Sequence, residues 1–191
     1  MKRAIFSILI ATLTFSVMVG KGRAENQIAK TELPSGDILF TPPKEWKKER
    51  PSGEMRREQF RLPGASESED GLLTVSFFKK GGDGVDRNIQ RWSGQFKNAD
   101  GTSLKEPIEK KELRVNNIPI TQIYLSGTYL DSMSSVMMGA PATERKGYAM
   151  LGAIALTTQG PWFFKATGPK VTIDRWRNAF DQFLNTFSTK K

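Results

Sequence analysis

The sequence predicts an α+β domain in which an antiparallel β-sheet is flanked by helices on both faces, an α/β/α sandwich. Three observations lead to this class. Two pairs of extended segments are joined by short turn sequences, and two further segments repeat apolar residues at helical spacing. The strand predicted at 149–156 is apolar or small on both alternating sets of side chains. Such a strand is covered on both sides, because neither set is suited to contact with water.

The first 24 residues have the order of parts found in a secretory signal peptide. A basic pair precedes the apolar run 4–19, and Gly22 and Ala24 occupy the −3 and −1 positions of a cleavage site. The run of ~16 residues is shorter than the ~20 that cross a bilayer, which disfavours a retained membrane anchor. We therefore expect residues 1–24 to be removed from an exported protein, periplasmic or secreted, with no stable membrane span afterwards.

Residues 25–36 are polar and aperiodic and are predicted to form a linker, and residues 37–188 are predicted to form a single domain. Its first half has strand patterns at three places and a loop crowded with charges. The predicted strands are 37–40, 56–62 and 72–78, and the predicted solvent-exposed loop is 44–58. A helix is expected next, because Val85, Ile89, Trp92 and Phe96 recur at spacings of one helical face.

The second half is predicted to consist of two hairpins and a final helix. Strands at 108–115 and 118–130 flank Asn116 and Asn117, residues that tolerate positive φ in a tight turn. Strands at 148–158 and 162–167 flank a Gln-Gly-Pro turn, and apolar residues at helical spacing predict a helix over 172–187.

The composition excludes several classes of chemistry. The chain has no histidine and no cysteine, which rules out imidazole-based triads, thiol nucleophiles, and the common zinc and iron–sulfur sites. No cofactor is predicted. The net charge is +9, and removing the four basic residues of the leader leaves +5. This excess is too small to predict a nucleic-acid-binding surface.

Three short motifs suggest chemistry but are better explained by structure. Ser76 and Lys79 match the S-x-x-K pattern of serine acylases, yet in a strand this spacing places the two side chains on opposite faces. The acidic segment 67–70 lacks the ordered spacing of a calcium loop. The glycine-rich start of the first helix matches no phosphate-binding motif, and Asp83 or Asp86 is expected to cap that helix.

The segment 131–146 has no period and is long for a connection, so it is functional or disordered. Its unbranched methionines suit adaptable contacts, although they could equally pack onto the sheet edge. Two tryptophans beside prolines are further candidates, with packing in the core as the favoured alternative. The candidate partner-binding residues are Met133, Val136, Met137, Met138, Trp46 and Trp162.

Several features resemble the Mog1/PsbP-like fold, as seen in small exported bacterial domains. They are the Pro43-Lys44-Glu45-Trp46 turn, the helix containing Asn88 to Trp92, and the closing hairpin and helix from Gly160 to Leu184. The resemblance covers most of residues 37–188. It implies an antiparallel sheet between helices and a binding or accessory protein without shared catalytic residues.

The leading hypothesis is an exported, non-catalytic binding or accessory protein whose partner is an envelope or secreted protein. One alternative is a carrier that holds a small apolar ligand or a lipid in a cleft between sheet and helix. Another is a hydrolase that uses carboxylates, although no pair of acids can be nominated from the sequence.

Overall fold

The structure is a computed structural model, and it describes residues 35–79, 84–131 and 142–190 of the chain. The chain divides into two units, Met1–Lys30 and Thr31–Lys191, and every described residue belongs to the second. The predicted signal peptide, residues 1–24, lies outside the described residues, as does all of the predicted linker 25–36 except its last two positions.

The described part of the chain contains ten strands and three α-helices. The strands are β1 Ile38–Leu39, β2 Lys47–Glu49, β3 Arg56–Leu62, β4 Gly71–Phe77, β5 Phe96–Lys97, β6 Glu109–Val115, β7 Ile118–Asp131, β8 Thr143–Thr157, β9 Gly160–Pro169 and β10 Ser188–Thr189. The helices are α1 Gly84–Ser93, α2 Lys170–Arg175 and α3 Arg177–Asn185, and a short 3-10 turn covers Glu67–Glu69. The chain is thus mainly β with three helices, in agreement with the α+β prediction.

The main sheet has the order β2-β3-β4-β9-β8-β7-β5, and β6 also pairs with β7. Every pairing in it is antiparallel. The strands β1 and β10 form a separate two-stranded sheet. The predicted hairpin at Asn116 and Asn117 is confirmed, because these residues have φ values of 47° and 67° and join β6 to β7.

The central strand β8 contributes to two apolar clusters. Leu151, Ala153 and their alternating neighbours belong to a cluster that includes Ile173 of α2 and Phe180 of α3. Met150 and Ile154 belong to a second cluster, together with residues of α1. Burial of apolar side chains in these clusters stabilises the domain.

The first helix is shorter at its C-terminal end than the sequence predicted. It ends at Ser93, and Phe96 lies in β5, paired with Tyr129 of β7. Phe96 is completely buried and packs in the same cluster as Ile89 and Trp92. Phe96 fits the helical spacing in the sequence because it packs in the same cluster as the helix residues, but it lies in a strand.

Three other boundaries differ from the prediction. The charged loop 44–58 contains the edge strand β2, whose exposed lysines left no alternating apolar pattern. The final helix is divided at Trp176, which has φ −90° and ψ 1° and whose indole N–H donates to the carbonyl of Pro63. Residues 143–146, which the sequence analysis placed in the aperiodic segment, belong to β8.

None of the helices in the described ranges has the length and apolar character needed to span a bilayer.

Candidate ligand-binding pocket

A cavity of about 470 Å³ lies on the sheet, among β3, β4, β7, β8 and β9. This volume is in the range of pockets that hold small molecules. We call it the basic pocket, and its chemistry is set by six of its lining residues. These are Arg56, Tyr129, Asp131, Arg145, Tyr148 and Lys165.

The pocket arises from the alternation of side chains along β9. Phe164 and Ala166 pack into the cluster that contains α2 and α3. Phe163, on the opposite face, packs with α1. Lys165 and Thr167 share the face of Phe163, because residues two apart in a strand point the same way. On this face Thr74 of the neighbouring strand β4 pairs with Lys165. The part of this face that α1 does not cover therefore forms a cavity with a polar lining.

Lys165 forms the polar centre of the pocket. Its amine donates to Oε1 of Gln95 at 2.5 Å and lies 3.4 Å from the hydroxyl of Tyr129. Burial, reinforced by the positive charges of Arg56 and Arg91, lowers the pKa of this amine to about 8. Desolvation penalises the charged form of a lysine, and nearby cations penalise it further.

A second cation, Arg56, is held beside this centre. Its guanidinium donates to Oγ of Ser52 at 2.6 Å and to Oε1 of Gln59 at 2.8 Å. Burial lowers the pKa of Arg56, although an arginine stays protonated at neutral pH. These two hydrogen bonds orient the guanidinium.

The acids of the lining have partners of their own. Asp131 forms an ion pair with Arg145 at 3.0 Å. Asp70 accepts the backbone N–H of Gly64 at 2.7 Å and lies 3.6 Å from Arg61. With three cations and two carboxylates, the described residues of the lining have an excess of positive charge.

Two tyrosine rings, those of Tyr129 and Tyr148, lie beside cations of the pocket. The amine of Lys165 lies 5.2 Å from the ring centre of Tyr129, and the guanidinium of Arg145 lies 5.8 Å from that of Tyr148. The two rings are nearly parallel, with centres 6.2 Å apart. Cation–π contacts of this kind stabilise the cations by about 0.5–2 kcal/mol. Burial raises the pKa of Tyr129 to about 12, so its hydroxyl keeps its proton at neutral pH.

A second cavity, of about 300 Å³, lies between the sheet and the C-terminal helices. Its polar side chains bond to one another: the Tyr124 hydroxyl donates to Asp174 at 2.7 Å, and the Gln122 amide donates to Asp181 at 2.6 Å. These bonds connect the helices to β7. Because these four side chains already bond to one another, this cavity is a weaker candidate than the basic pocket.

Among residues 35–79, 84–131 and 142–190, no three carboxylates come together in a way that could hold a metal ion. The acidic segment predicted as a turn contains the 3-10 turn Glu67–Glu69. Ser76 lies in β4, as expected of a strand residue. Asp86 lies in the first turn of α1 and forms an ion pair with Lys110 at 3.3 Å, while Asp83 is outside the described residues.

The tryptophans predicted as contact residues are core residues in the structure. Trp46 and Trp162 are each 5% exposed. Trp46 packs on Trp176 and Phe183, and Trp162 packs on Phe77 at 4.9 Å between ring centres. Their indoles therefore offer almost no surface to a partner, and the packed alternative describes both positions.

The other predicted contact residues, Met133, Val136, Met137 and Met138, lie outside the described residues. The strands that flank them are described, and Asp131 of β7 pairs with Thr143 of β8. Asp131 also lines the basic pocket.

The sequence analysis did not select any of the six residues that define the basic pocket. One signal was present: Lys165 is the single charged residue in the run Trp162 to Ala166, between two buried apolar neighbours. Charged residues are rarely placed in such a strand without a partner or a function. The other five lie in β3, β7 and β8, and no comparable pattern distinguishes them in the sequence.

Comparison with known proteins is informative at the level of fold. No protein-family model matches the chain, and no curated protein matches it. Among solved structures, the chain is similar to the crystal structure of PA94, a protein of unknown function from Pseudomonas aeruginosa. The TM-score is 0.50 with 8% identity, over 76% of this chain and 98% of that chain.

The chain also matches the solution structure of cyanobacterial PsbP (CyanoP) from Synechocystis sp. PCC 6803. The TM-score is 0.49 with 11% identity, over 85% of this chain and 95% of that chain. A PsbP structure is thus among those that the chain matches. At these identities the similarity concerns the fold alone, and no ligand or partner follows from it.

Proposed function

We propose that the domain is a non-catalytic binding protein that takes a small acidic ligand into the basic pocket. One observation supports this most directly. The desolvated amine of Lys165 has Gln95 and Tyr129 as its hydrogen-bond partners, and within the described part of the chain no carboxylate lies within ion-pair distance of it.

An anion at this position would be stabilised by charge that the protein already holds in place. In the folded protein the guanidinium of Arg56 disfavours the charge of the lysine amine, and burial disfavours the charge of both groups. A bound carboxylate or phosphate offsets that cost, because an opposite charge within a few ångströms favours the protonated amine. The charged lining also favours an acidic ligand over the purely apolar one considered from the sequence.

The test is a binding screen by thermal shift and calorimetry with acids and their uncharged analogues. The panel contains acetate, benzoate and inorganic phosphate, with acetamide and benzamide as the analogues. We expect at least one acid to raise the melting temperature and neither amide to do so. If no acid stabilises the protein, or the amides stabilise it equally, the proposed function is wrong.

A matched pair of variants assigns the binding to the pocket. Lys165→Met removes the amine and should abolish the response to acids. Lys105→Met removes an exposed lysine outside the pocket and should leave the response unchanged. Equal loss in both variants would mean that the acids act through general charge.

The proposal also has a cellular part. We propose that residues 1–24 direct export to the periplasm or beyond, and that the domain acts there as an accessory protein for an envelope or secreted partner. The leader pattern and the absence of histidine and cysteine support this part. Cell fractionation with N-terminal sequencing tests it: full-length protein confined to the cytoplasm would contradict export.

A further part of the proposal concerns the arrangement of the helices around the sheet. We propose that helices cover both faces of the sheet. The two apolar clusters support this arrangement, since α1 contributes to one and α2 and α3 contribute to the other. The uncovered part of the face that carries α1 would then be the basic pocket.

A further inference from the structure

We propose that Lys165 captures aldehyde and oxo-acid ligands covalently, as a reversible imine between its amine and the carbonyl carbon of an acidic ligand. This inference rests on the proposed function, because it names the class of ligand for the basic pocket. It requires a largely unprotonated amine that is open to a cavity, a neighbouring group that can donate a proton, and a cation that holds the acidic end of the ligand.

The amine meets the first requirement through its position. Lys165 lines the cavity of about 470 Å³, and its amine is held from two sides by Gln95 Oε1 and the Tyr129 hydroxyl. Neither contact is an ion pair, so among the described residues no salt bridge has to break before the nitrogen reacts. A nucleophilic lysine must be unprotonated, and burial beside other cations is a general way to achieve this.

Charged groups from several elements act on the pKa of Lys165, and most of them lower it. Arg56 of β3 and Arg91 of α1 disfavour the protonated amine, and Asp131 of β7 favours it. Burial is the largest effect and also disfavours the charge. The same guanidinium of Arg56 can receive the carboxylate or phosphate of a ligand whose carbonyl meets the amine.

The reaction balances with the groups present. The lone pair of Nζ forms a bond to the carbonyl carbon, and a proton moves from nitrogen to the carbonyl oxygen to give a carbinolamine. The C–O bond then breaks and the oxygen leaves as water with a proton from the Tyr129 hydroxyl, and the resulting phenolate takes the remaining proton from the nitrogen. The product is an imine, with no oxidation or reduction, and water reverses the step.

The test is reductive trapping followed by peptide mass mapping. The protein is incubated at pH 7.5 with glyoxylate, a small acid with an aldehyde, and with cyanoborohydride, which reduces an imine to a stable carboxymethyl-lysine. We expect Lys165 to be labelled at least about tenfold faster than exposed Lys105. At this pH an amine with a pKa of about 8 is unprotonated far more often than an ordinary lysine.

Acetaldehyde, which has no acidic group, is the matched ligand control. It should label Lys165 more slowly than glyoxylate, relative to Lys105, and Arg56→Gln should reduce this preference. Lys165→Arg keeps the positive charge and should show no adduct at position 165, while Lys105 is labelled as before. Equal labelling by the two aldehydes would overturn the role of the acidic group.

Glycolate, which has the same acid but a hydroxyl in place of the aldehyde, separates this inference from the proposed function. If glycolate binds by calorimetry and glyoxylate leaves no preferential adduct on Lys165, the imine is overturned and the acid-binding pocket stands. If glycolate does not bind and Lys165 is labelled no faster than Lys105, both proposals fail for this ligand class.

Discussion

The amine of Lys165 donates a hydrogen bond to Oε1 of Gln95 at 2.5 Å, although 70 positions separate the two residues in the chain. Gln95 follows the end of α1, and Lys165 lies in the middle of β9. The bond therefore connects the helix end to the centre of the basic pocket, and it gives a partner to an amine that is largely withdrawn from bulk water.

Replacing the acceptor should destabilise the domain. We expect Gln95→Leu to lower the free energy of unfolding by about 1–3 kcal/mol, because a buried donor is left without this partner. Urea denaturation measures the change. In the Lys165→Met background the same substitution should cost clearly less, since no amine then needs an acceptor. Equal costs in the two backgrounds would show that the hydrogen bond is unimportant.

The low pKa of Lys165 should make stability depend on pH. Below pH 8 the folded protein bears the full cost of a buried charge. Between pH 8 and the ordinary lysine pKa of 10.5, the unfolded chain binds a proton that the folded protein does not, so stability rises with pH. Above pH 10 the raised pKa of Tyr129 opposes this gain, since the unfolded tyrosine then loses its proton first.

Denaturation at pH 8 and pH 10 measures this dependence. We expect the gain in unfolding free energy to be larger in the wild type than in Lys165→Met by about 1–2 kcal/mol. Lys105→Met should behave as the wild type does. A wild type and a Lys165→Met variant with parallel pH profiles would contradict a perturbed amine.

Gly152 is constrained by the packing of α1. A Cβ atom at this position would lie 2.7 Å from the indole of Trp92 and 3.0 Å from a side-chain carbon of Ile123. Gly152→Ala should therefore destabilise the domain by about 1–3 kcal/mol, as overpacking does. Thermal denaturation measures the loss. Adding Trp92→Phe should recover part of it, and a variant as stable as the wild type would show that α1 shifts freely.

The hairpin between β6 and β7 offers a pair of adjacent substitutions with opposite expectations. Asn117→Gly should leave stability unchanged or raise it by up to about 0.5 kcal/mol, because glycine adopts positive φ without strain. Asn116→Gly should lower stability by about 1 kcal/mol, because the Asn116 amide donates to the carbonyl of Phe187 at 2.8 Å. Chemical denaturation of both variants measures the difference, and the reverse order would contradict the assignment.

Much of the fold could be predicted from the sequence because its signals are local. The strand Arg56–Leu62 and the Asn116-Asn117 turn have the predicted positions. The errors arise where tertiary contacts decide the outcome. Phe96 satisfies helical spacing but pairs with β7, and Trp176 interrupts a continuous apolar face at a bond to Pro63.

The candidate site could not be predicted in the same way. Lys165, Arg56 and Tyr129 come from three strands that are distant in sequence, and their proximity depends on the order of the sheet. The contact residues chosen from the sequence were large side chains beside prolines, a pattern that also marks core positions. Trp46 and Trp162 are of that second kind.

The measurement that tests the central claim most directly is a pH titration of the lysine amines by nuclear magnetic resonance, using isotope-labelled lysine. Lys165→Arg identifies the signal of Lys165. We predict that this signal titrates near pH 8 in the free protein and moves to a higher pH when the best-binding acid of the panel is added. If every lysine titrates near 10.5 and none responds to the acids, Lys165 is an ordinary surface amine and the basic pocket is not a binding site.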